Sequence, residues 1–188
     1  MKLRTGSFDE VEAFCVRMAD ELEPRKLSIA KPTELISWGY MLRRASAAAA
    51  LNNRPSEAKE YCRLANVAAQ GLGKDHYGIE IFGVSACLVQ QAENFLVSGQ
   101  PDRTLELAPQ VKAISNGRRV RHELDVALAL VQTGKCDDAA SMLMSLHAYR
   151  PQWLAHQRTA RAVVREILRR RVRALPSELV QVADLLDV

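Results

Sequence analysis

Gly99-Gln100-Pro101-Asp102 and Gly134-Lys135-Cys136-Asp137 are two copies of one turn, 35 residues apart, and the stretch holding them, Tyr77 to Pro151, decides the fold. Each turn joins one apolar helical pattern to a second. Ala92 and Ala127 stand seven residues before the turn glycines, Ala108 and Leu143 nine after, and Val111 and Leu146 twelve after. Pro151 closes the second copy, because proline lacks the N–H that would continue a helix and its ring clashes with the preceding turn. A period of this length is that of a two-helix hairpin repeated along a chain. Such hairpins make surfaces for binding and bring no reactive group of their own.

Upstream lies a third, weaker copy. A helix opens at Pro32-Thr33-Glu34 and runs to about Leu51, ending in the small-residue run Ala45-Ser46-Ala47-Ala48-Ala49-Ala50 that lets another helix approach closely. Asn52-Asn53-Arg54-Pro55 is its turn, with Asn53 in the glycine position 46 residues before Gly99. A partner helix follows from Ser56 to about Gln70, with Ala58, Cys62, Ala65 and Ala69 on one face. The apolar run Ile79 to Val89 leads without a break into Gln90 to Val97, a span that predicts one helix from about Tyr77 to Ser98. Pro101 starts its partner at the first-turn position proline tolerates, and Pro109 ends that partner early. Asn116-Gly117 marks the next break, before helices from Arg118 to Thr133 and from Asp137 to about Ala148.

At the N-terminal end, Ser7 and Glu10 form a capping-box pattern for a helix to Glu23, with Phe8, Val11, Phe14, Cys15, Met18 and Leu22 as its apolar face. Pro24 closes it and Arg25 to Lys31 is a polar linker. At the other end, Trp153-Leu154 precedes a helix to about Leu175 with Val164, Leu168 and Val172 as its buried seam. Pro176-Ser177-Glu178 starts a last helix whose Leu179, Val182, Ala183 and Leu186 cap the stack, as a solenoid requires. Trp38 and Trp153 read as core or cap residues. The fold expected is all-α: a right-handed superhelix of tetratricopeptide-like hairpins over residues 32–188, preceded by an N-terminal helix and linker over residues 1–31.

Composition narrows the function. A chain of 188 residues with 48% hydrophobic and 5% aromatic content can bury one core or a short solenoid. No hydrophobic run reaches the roughly 18–20 residues that span a bilayer, and the N-terminus turns acidic at once where a signal peptide would be apolar. A cytoplasmic protein with no membrane partner is expected. Cys15, Cys62, Cys87 and Cys136 lie in or beside helical apolar patterns, without close metal-ligand spacing, and read as buried reduced thiols.

Enzyme motifs are incomplete. Gly83-Val84-Ser85-Ala86-Cys87 lacks the second glycine of a nucleophile elbow. Gly71-Leu72-Gly73-Lys74-Asp75 lacks the spacing and hydroxyl of a phosphate loop, and His122-Glu123 has no second histidine one turn on. His76, His147 and His156 are scattered and read as surface or capping residues. No catalytic residue, metal ligand or cofactor is therefore assigned.

Two binding surfaces stand out. Between Leu154 and Leu175, seven arginines face the single acid Glu166, a charge of +6 in a chain of +4, so the remainder carries −2. Arg158, Arg161, Arg165, Arg169 and Arg173 form a ridge that could meet phosphates or an acidic protein. No aromatics interleave them, so base stacking is unsupported. In stacked hairpins the first helix of each pair lines the concave side. Aligning the three copies puts Tyr40, Arg43, Val89, Glu93, Arg121 and Leu124 there, an apolar floor with charged anchors suited to a peptide or a partner's helix.

The ordered set of features resembles the C-terminal helical-repeat region of bacterial transcriptional regulators of the xenobiotic-response-element (XRE) helix-turn-helix family. The residues that carry it are Phe82-Gly83, Leu96 to Pro101 with Leu105 to Ala108, Arg118 to Arg121 with Leu124 to Ala127, Gly134 to Ala139, Arg161 to Leu168, and the ending Pro176 to Val188. The match spans roughly Leu42 to Val188. Such regulators carry an N-terminal DNA-binding module of about 60 residues. Here about 30 residues with one amphipathic helix precede the repeats, and Thr104 stands where the repeat prefers alanine. The resemblance thus implies a sensor or interaction region without its own DNA reader: a non-enzymatic binding protein that takes a peptide or protein segment in the groove. The alternatives are a homodimerising regulator that contacts nucleic acid through the arginine ridge, and a small-molecule sensor with an apolar pocket around Phe82 to Phe95.

Overall fold

The structure is a computed structural model and describes residues 7–74, 76–77, 81–112, 116–170 and 177–188. It is α-helical. The helices are α1 (Phe8–Leu22), α2 (Pro32–Leu51), α3 (Pro55–Leu72), α4 (Val84–Val97), α5 (Pro101–Leu107), α6 (Asn116–Gln132), α7 (Cys136–Tyr149), α8 (Pro151–Ala155), α9 (Arg158–Arg170) and α10 (Ser177–Leu186). Two short strands, β1 (His76–Tyr77) and β2 (Ile81–Phe82), pair antiparallel with His76 opposite Phe82.

The turn reading is visible in the backbone. Asn53, Gly99 and Gly134 all adopt positive φ, at 58°, 71° and 83°. Around each, the same bonds recur. The turn residue's N–H donates to the carbonyl three residues back, and the next N–H donates to the carbonyl five back: Arg54 to Ala49, Gln100 to Phe95 and Lys135 to Leu130. This is the Schellman pattern, which satisfies carbonyls a helix end otherwise leaves open. Asparagine tolerates the left-handed region better than most residues, so Asn53 performs the glycine's task.

The chain divides into two compact units, Met1–Gln100 with Leu107–Ile114, and Pro101–Glu106 with Ser115–Val188. In the first, the alanine run of α2 admits a helix on each side. Val11 and Cys15 of α1 pack against Ala45 and Ala48, while Ala58 of α3 packs against Ala49 and Ala50. Residues 8–22 therefore belong with α2–α4 and do not stand apart at a boundary after Lys31. Ser7 caps α1 by accepting from the Glu10 N–H, and the Glu34 carboxylate accepts from the Lys31 N–H at the start of α2. The far end of α1 contact is ionic: Arg54 Nη2 lies 2.8 Å from Asp9 Oδ1 and 2.7 Å from the buried Glu12 Oε2, and the Asn52 amide donates to both carboxylates.

Two expectations for this unit are corrected. The buried face of α1 is Val11, Glu12, Cys15 and Ala19, whereas Phe8 and Phe14 are exposed, Phe14 lying under the Arg17 guanidinium. The α2 surface that receives α1 is lined by alanine, so small side chains on α1 pack closest and the phenylalanines are left outside. The predicted helix from Tyr77 is also shorter, since α4 begins only at Val84 and the apolar residues before it are partly strand. Apolarity there comes from burial. Phe82 is fully buried among Ala19, Trp38, Leu42, Ala65, Ala68, Ala69 and Cys87, and an apolar run alone does not distinguish strand from helix. Pro109 acts as expected: α5 stops at Leu107 and continues as a single 3-10 turn, Ala108–Gln110.

The second unit is built on α6 and α7 with α8, α9 and α10 around them. Its core includes Leu124, Ala127, Val131, Leu143, Leu146, Leu154, Val163, Val164, Ile167, Leu179, Val182, Ala183 and Leu186. The last four predicted packing residues of α10 are all buried. The seam of α9 is Ala160, Val163, Val164 and Ile167; Leu168 is only half-buried, and Val172 lies outside the described residues. The 35-residue offset holds at Ala92 and Ala127, both fully buried, but Ala108 and Val111 are half-exposed where Leu143 and Leu146 are core, because the helix after Gly99 is cut short.

Candidate binding surfaces on the leading helices

The six predicted groove residues fall in three classes. Tyr40 and Arg43 of α2 and Val89 and Glu93 of α4 belong to the first unit, Arg121 and Leu124 of α6 to the second. Leu124 is core, and Val89 and Arg43 are buried; Tyr40 and Glu93 are half-exposed and Arg121 is exposed. Leu124 is thus corrected from surface to core, since it closes the α6 side of the second unit's cluster. Arg43 is corrected from a surface anchor to a buried one.

Around Tyr40 the geometry is specific. The guanidinium carbon of Arg43 lies 5.5 Å from the ring centroid and that of Arg44 5.6 Å, so two cations share one aromatic ring. The negative face of a ring attracts a guanidinium, most strongly where water is excluded. With Arg43 buried and Arg44 half-exposed, Tyr40 and Arg44 remain at the surface, held in place from below.

The same unit holds a buried polar chain. Gln90 Nε2 of α4 donates to Glu93 Oε2 and to Asn94 Oδ1, each at 3.1 Å. Asn94 Nδ2 donates to Ser46 Oγ at 2.5 Å, and Ser46 Oγ donates to the Ala58 carbonyl at 2.8 Å. Ser46, Gln90 and Asn94 are buried, so the chain fixes α4 to α2 and α2 to α3 and fixes the rotamer of Glu93 at its outer end. Buried networks of this kind specify one arrangement because breaking any link leaves a desolvated group unsatisfied. Ser46 inside an alanine run and Asn94 inside an apolar helix were the sequence signals for it; their partnership, 48 positions apart, was not readable.

The arginine ridge is not a uniform face. Arg161 turns inward, donating to the Leu186 and Ala155 carbonyls at 3.0 Å each, where it satisfies carbonyls at the ends of α10 and α8. Arg169 grips Glu166 in a bidentate pair at 2.9 and 2.6 Å. Arg170 also bonds Glu166, and donates to the Val131 carbonyl at 2.8 Å. Hydrogen bonds from Arg169, then from Arg170, hold the Glu166 carboxyl down at about 2. Arg158, Arg165 and Arg169 are the exposed ridge residues, Arg169 with its charge paired to Glu166, and Arg173 lies outside the described residues.

Cys15, Cys62 and Cys87 are buried and Cys136 is half-buried, all as free thiols. Burial raises the Cys15 thiol above its ordinary value and pushes Cys62 up to about 11. Because the thiolate is the reactive form, a maleimide or disulfide reagent is expected to modify Cys136 before Cys15 and Cys62 in the native protein. Mass spectrometry of partially labelled protein gives the order; early labelling at Cys62 would contradict the described packing of α3 on α4. Among the described residues no group of three histidine, cysteine or acidic side chains could hold a metal ion, and no helix is long and apolar enough to cross a membrane. Trp38 is core, and Trp153 packs half-buried against the second unit's cluster.

Comparison of the chain with protein-family models, with curated proteins and with solved structures finds no match.

Proposed function

We propose that this chain is a non-enzymatic, tetratricopeptide-like binding protein that serves bacterial transcriptional regulation in the cytoplasm. In this reading its leading helices form the inner side of a superhelix and receive a peptide or protein segment. The single observation that carries it is the recurrence of one Schellman turn at Asn53, Gly99 and Gly134. Repeated hairpins of that kind are scaffolds whose product is a surface. Tyr40, Arg44 and Glu93 supply the specific part: an aromatic ring steadied by the buried Arg43, a cation against that ring, and a carboxylate held by the buried Gln90. Preorganised side chains lose little entropy on binding, which is where affinity for a flexible peptide is otherwise lost. Free thiols fit a reducing compartment.

The test is selection of peptides on the intact protein from a random display library, followed by titration of the winners. Tyr40→Ala is expected to weaken a selected peptide at least tenfold, since truncating an aromatic anchor at a binding hot spot costs about 2 kcal/mol or more. Arg44→Glu should do the same and should weaken acidic peptides most. Peptides that bind both variants as well as the native protein would refute the assignment. The nucleic-acid reading is less favoured, because Arg161, Arg169 and Arg170 are already engaged within the fold. Homodimerisation belongs to that reading.

A further inference from the structure

An open cleft of about 470 Å³ lies between α3 and α4, lined by Ser56, Lys59, Glu60, Cys62, Arg63 and Asn66 of α3 and Gln91 of α4. Its residues all belong to the first unit. None of them is among the groove residues above.

The charges at this cleft do not cancel. Arg63 and Glu60 neutralise each other through paired bonds of 2.7 and 2.8 Å, which leaves the Lys59 ammonium as the uncompensated charge. The Cys62 thiol at the wall is protonated at neutral pH, because burial pushes it up to about 11, and so adds no negative charge. The polar groups point the same way. Ser56, Gln91 and Asn66 make no side-chain hydrogen bond among the described residues, so the Ser56 hydroxyl and the Gln91 amide are available to a guest as donors. Asn66 Oδ1 is shielded from solvent and accepts no hydrogen bond. A buried amide oxygen without a partner is uncommon and calls for an explanation. The terminal torsion of asparagine is broad and two-fold. Turning the amide over breaks no hydrogen bond: it brings the oxygen to the cleft as an acceptor and moves the NH₂ to the shielded position.

From one cation, the Ser56 hydroxyl and Gln91 amide donors and the Asn66 oxygen as acceptor, we infer that the α3–α4 cleft binds a small carboxylate that also carries an N–H donor: a free amino acid or the C-terminal residue of a peptide. Lys59 meets the carboxylate, the Gln91 amide donates to it, and the Asn66 oxygen accepts the N–H. A volume of about 470 Å³ accommodates either guest. The site differs from the apolar pocket expected of a small-molecule sensor: it is polar, and it lies on the second helix of the hairpin. It does not depend on peptide capture at Tyr40.

The side-chain amides of Asn66 and Gln91 report occupancy directly. ¹⁵N-labelled full-length protein is titrated with each of the free L-amino acids, with their N-acetyl derivatives and with their carboxamides, while those two NH₂ resonances are followed. At least one free or N-acetylated amino acid is expected to shift both resonances saturably below 10 mM. The carboxamide of the same residue should bind at least tenfold more weakly. Lys59→Met, at an exposed position, should reproduce that loss without unfolding the protein, and Gln91→Leu should weaken binding severalfold. A preference for free over acetylated guests identifies the amino acid, and the reverse identifies a peptide terminus. Absence of saturable shifts across the panel, or equal binding of acid and carboxamide, overturns the proposal. Since Tyr40→Ala leaves this cleft untouched, failure here and failure of the groove are told apart.

Discussion

Replacing Phe82 with alanine is expected to destabilise the first unit by about 3–5 kcal/mol, the range for deleting a buried aromatic ring. The ring is fully buried and faces Gly39 of α2. A Cβ built on Gly39 would lie 2.1 Å from Phe82 Cζ, which no packed pair of atoms tolerates. Gly39 is thus the socket and Phe82 the plug. Gly39→Ala alone should also destabilise, because overpacking costs about 1–3 kcal/mol, offset in part by the roughly 1 kcal/mol that alanine gains over glycine inside a helix. The decisive comparison is the double variant. With the ring gone, the added methyl group no longer clashes and fills part of the cavity, so Gly39→Ala should change sign and become stabilising in the Phe82→Ala background. Residues in contact depart from additivity in this way. Urea unfolding followed through Trp38, in a protein whose Trp153 is phenylalanine, reads the unit that holds both residues. Additive effects would show that the ring does not sit on Gly39.

The second large effect is expected at Leu143. Leu143→Ala should cost about 2–5 kcal/mol, because the side chain is fully buried and its removal leaves a cavity that the surroundings fill only in part. It lies on α7 at the centre of the second unit's cluster, together with Leu124, Leu146, Leu154 and Ile167. Trp153 packs against the same cluster and supplies the signal in a protein whose Trp38 is phenylalanine. A loss below 1 kcal/mol would mean that α7 is not packed as described, since surface substitutions fall in that range. The position is informative because its counterpart nine residues after Gly99 is Ala108, which is half-exposed in a 3-10 turn. The same repeat position is core in one copy and periphery in the other.

That contrast shows where sequence reasoning was strong. Helix starts and stops were legible because their causes are local. Pro32 and Pro101 each occupy a first helical position, Pro151 follows the end of α7, Ser7 caps α1, and Gly99 and Gly134 take the left-handed conformation that ends a helix. Asn53 could be placed as a third turn residue for the same reason. The faces of α3 and α10 were legible because small or apolar residues recur there at helical spacing and are buried.

Other features needed partners that no local pattern names. Phe8 and Phe14 looked like core residues and are exposed, because Val11, Glu12, Cys15 and Ala19 form the face of α1 that is buried. Arg43 and Arg161 looked like surface charges; one is buried beside Tyr40 and the other closes two helix ends. The candidate cleft between α3 and α4 was invisible, since Lys59, Asn66 and Gln91 belong to different turns and different helices.

By itself, the sequence determined the helical class of this protein, its paired turns and most helix boundaries, since proline, glycine and capping side chains act on backbone within a few residues. Only the tertiary structure decided which face each helix buries, that Phe82 lies on Gly39 in an extended segment ahead of α4, and that Ser46, Asn94 and Gln90 form one chain. Those outcomes depend on desolvation and shape between residues far apart in sequence, and burial is a property of the neighbour as much as of the residue.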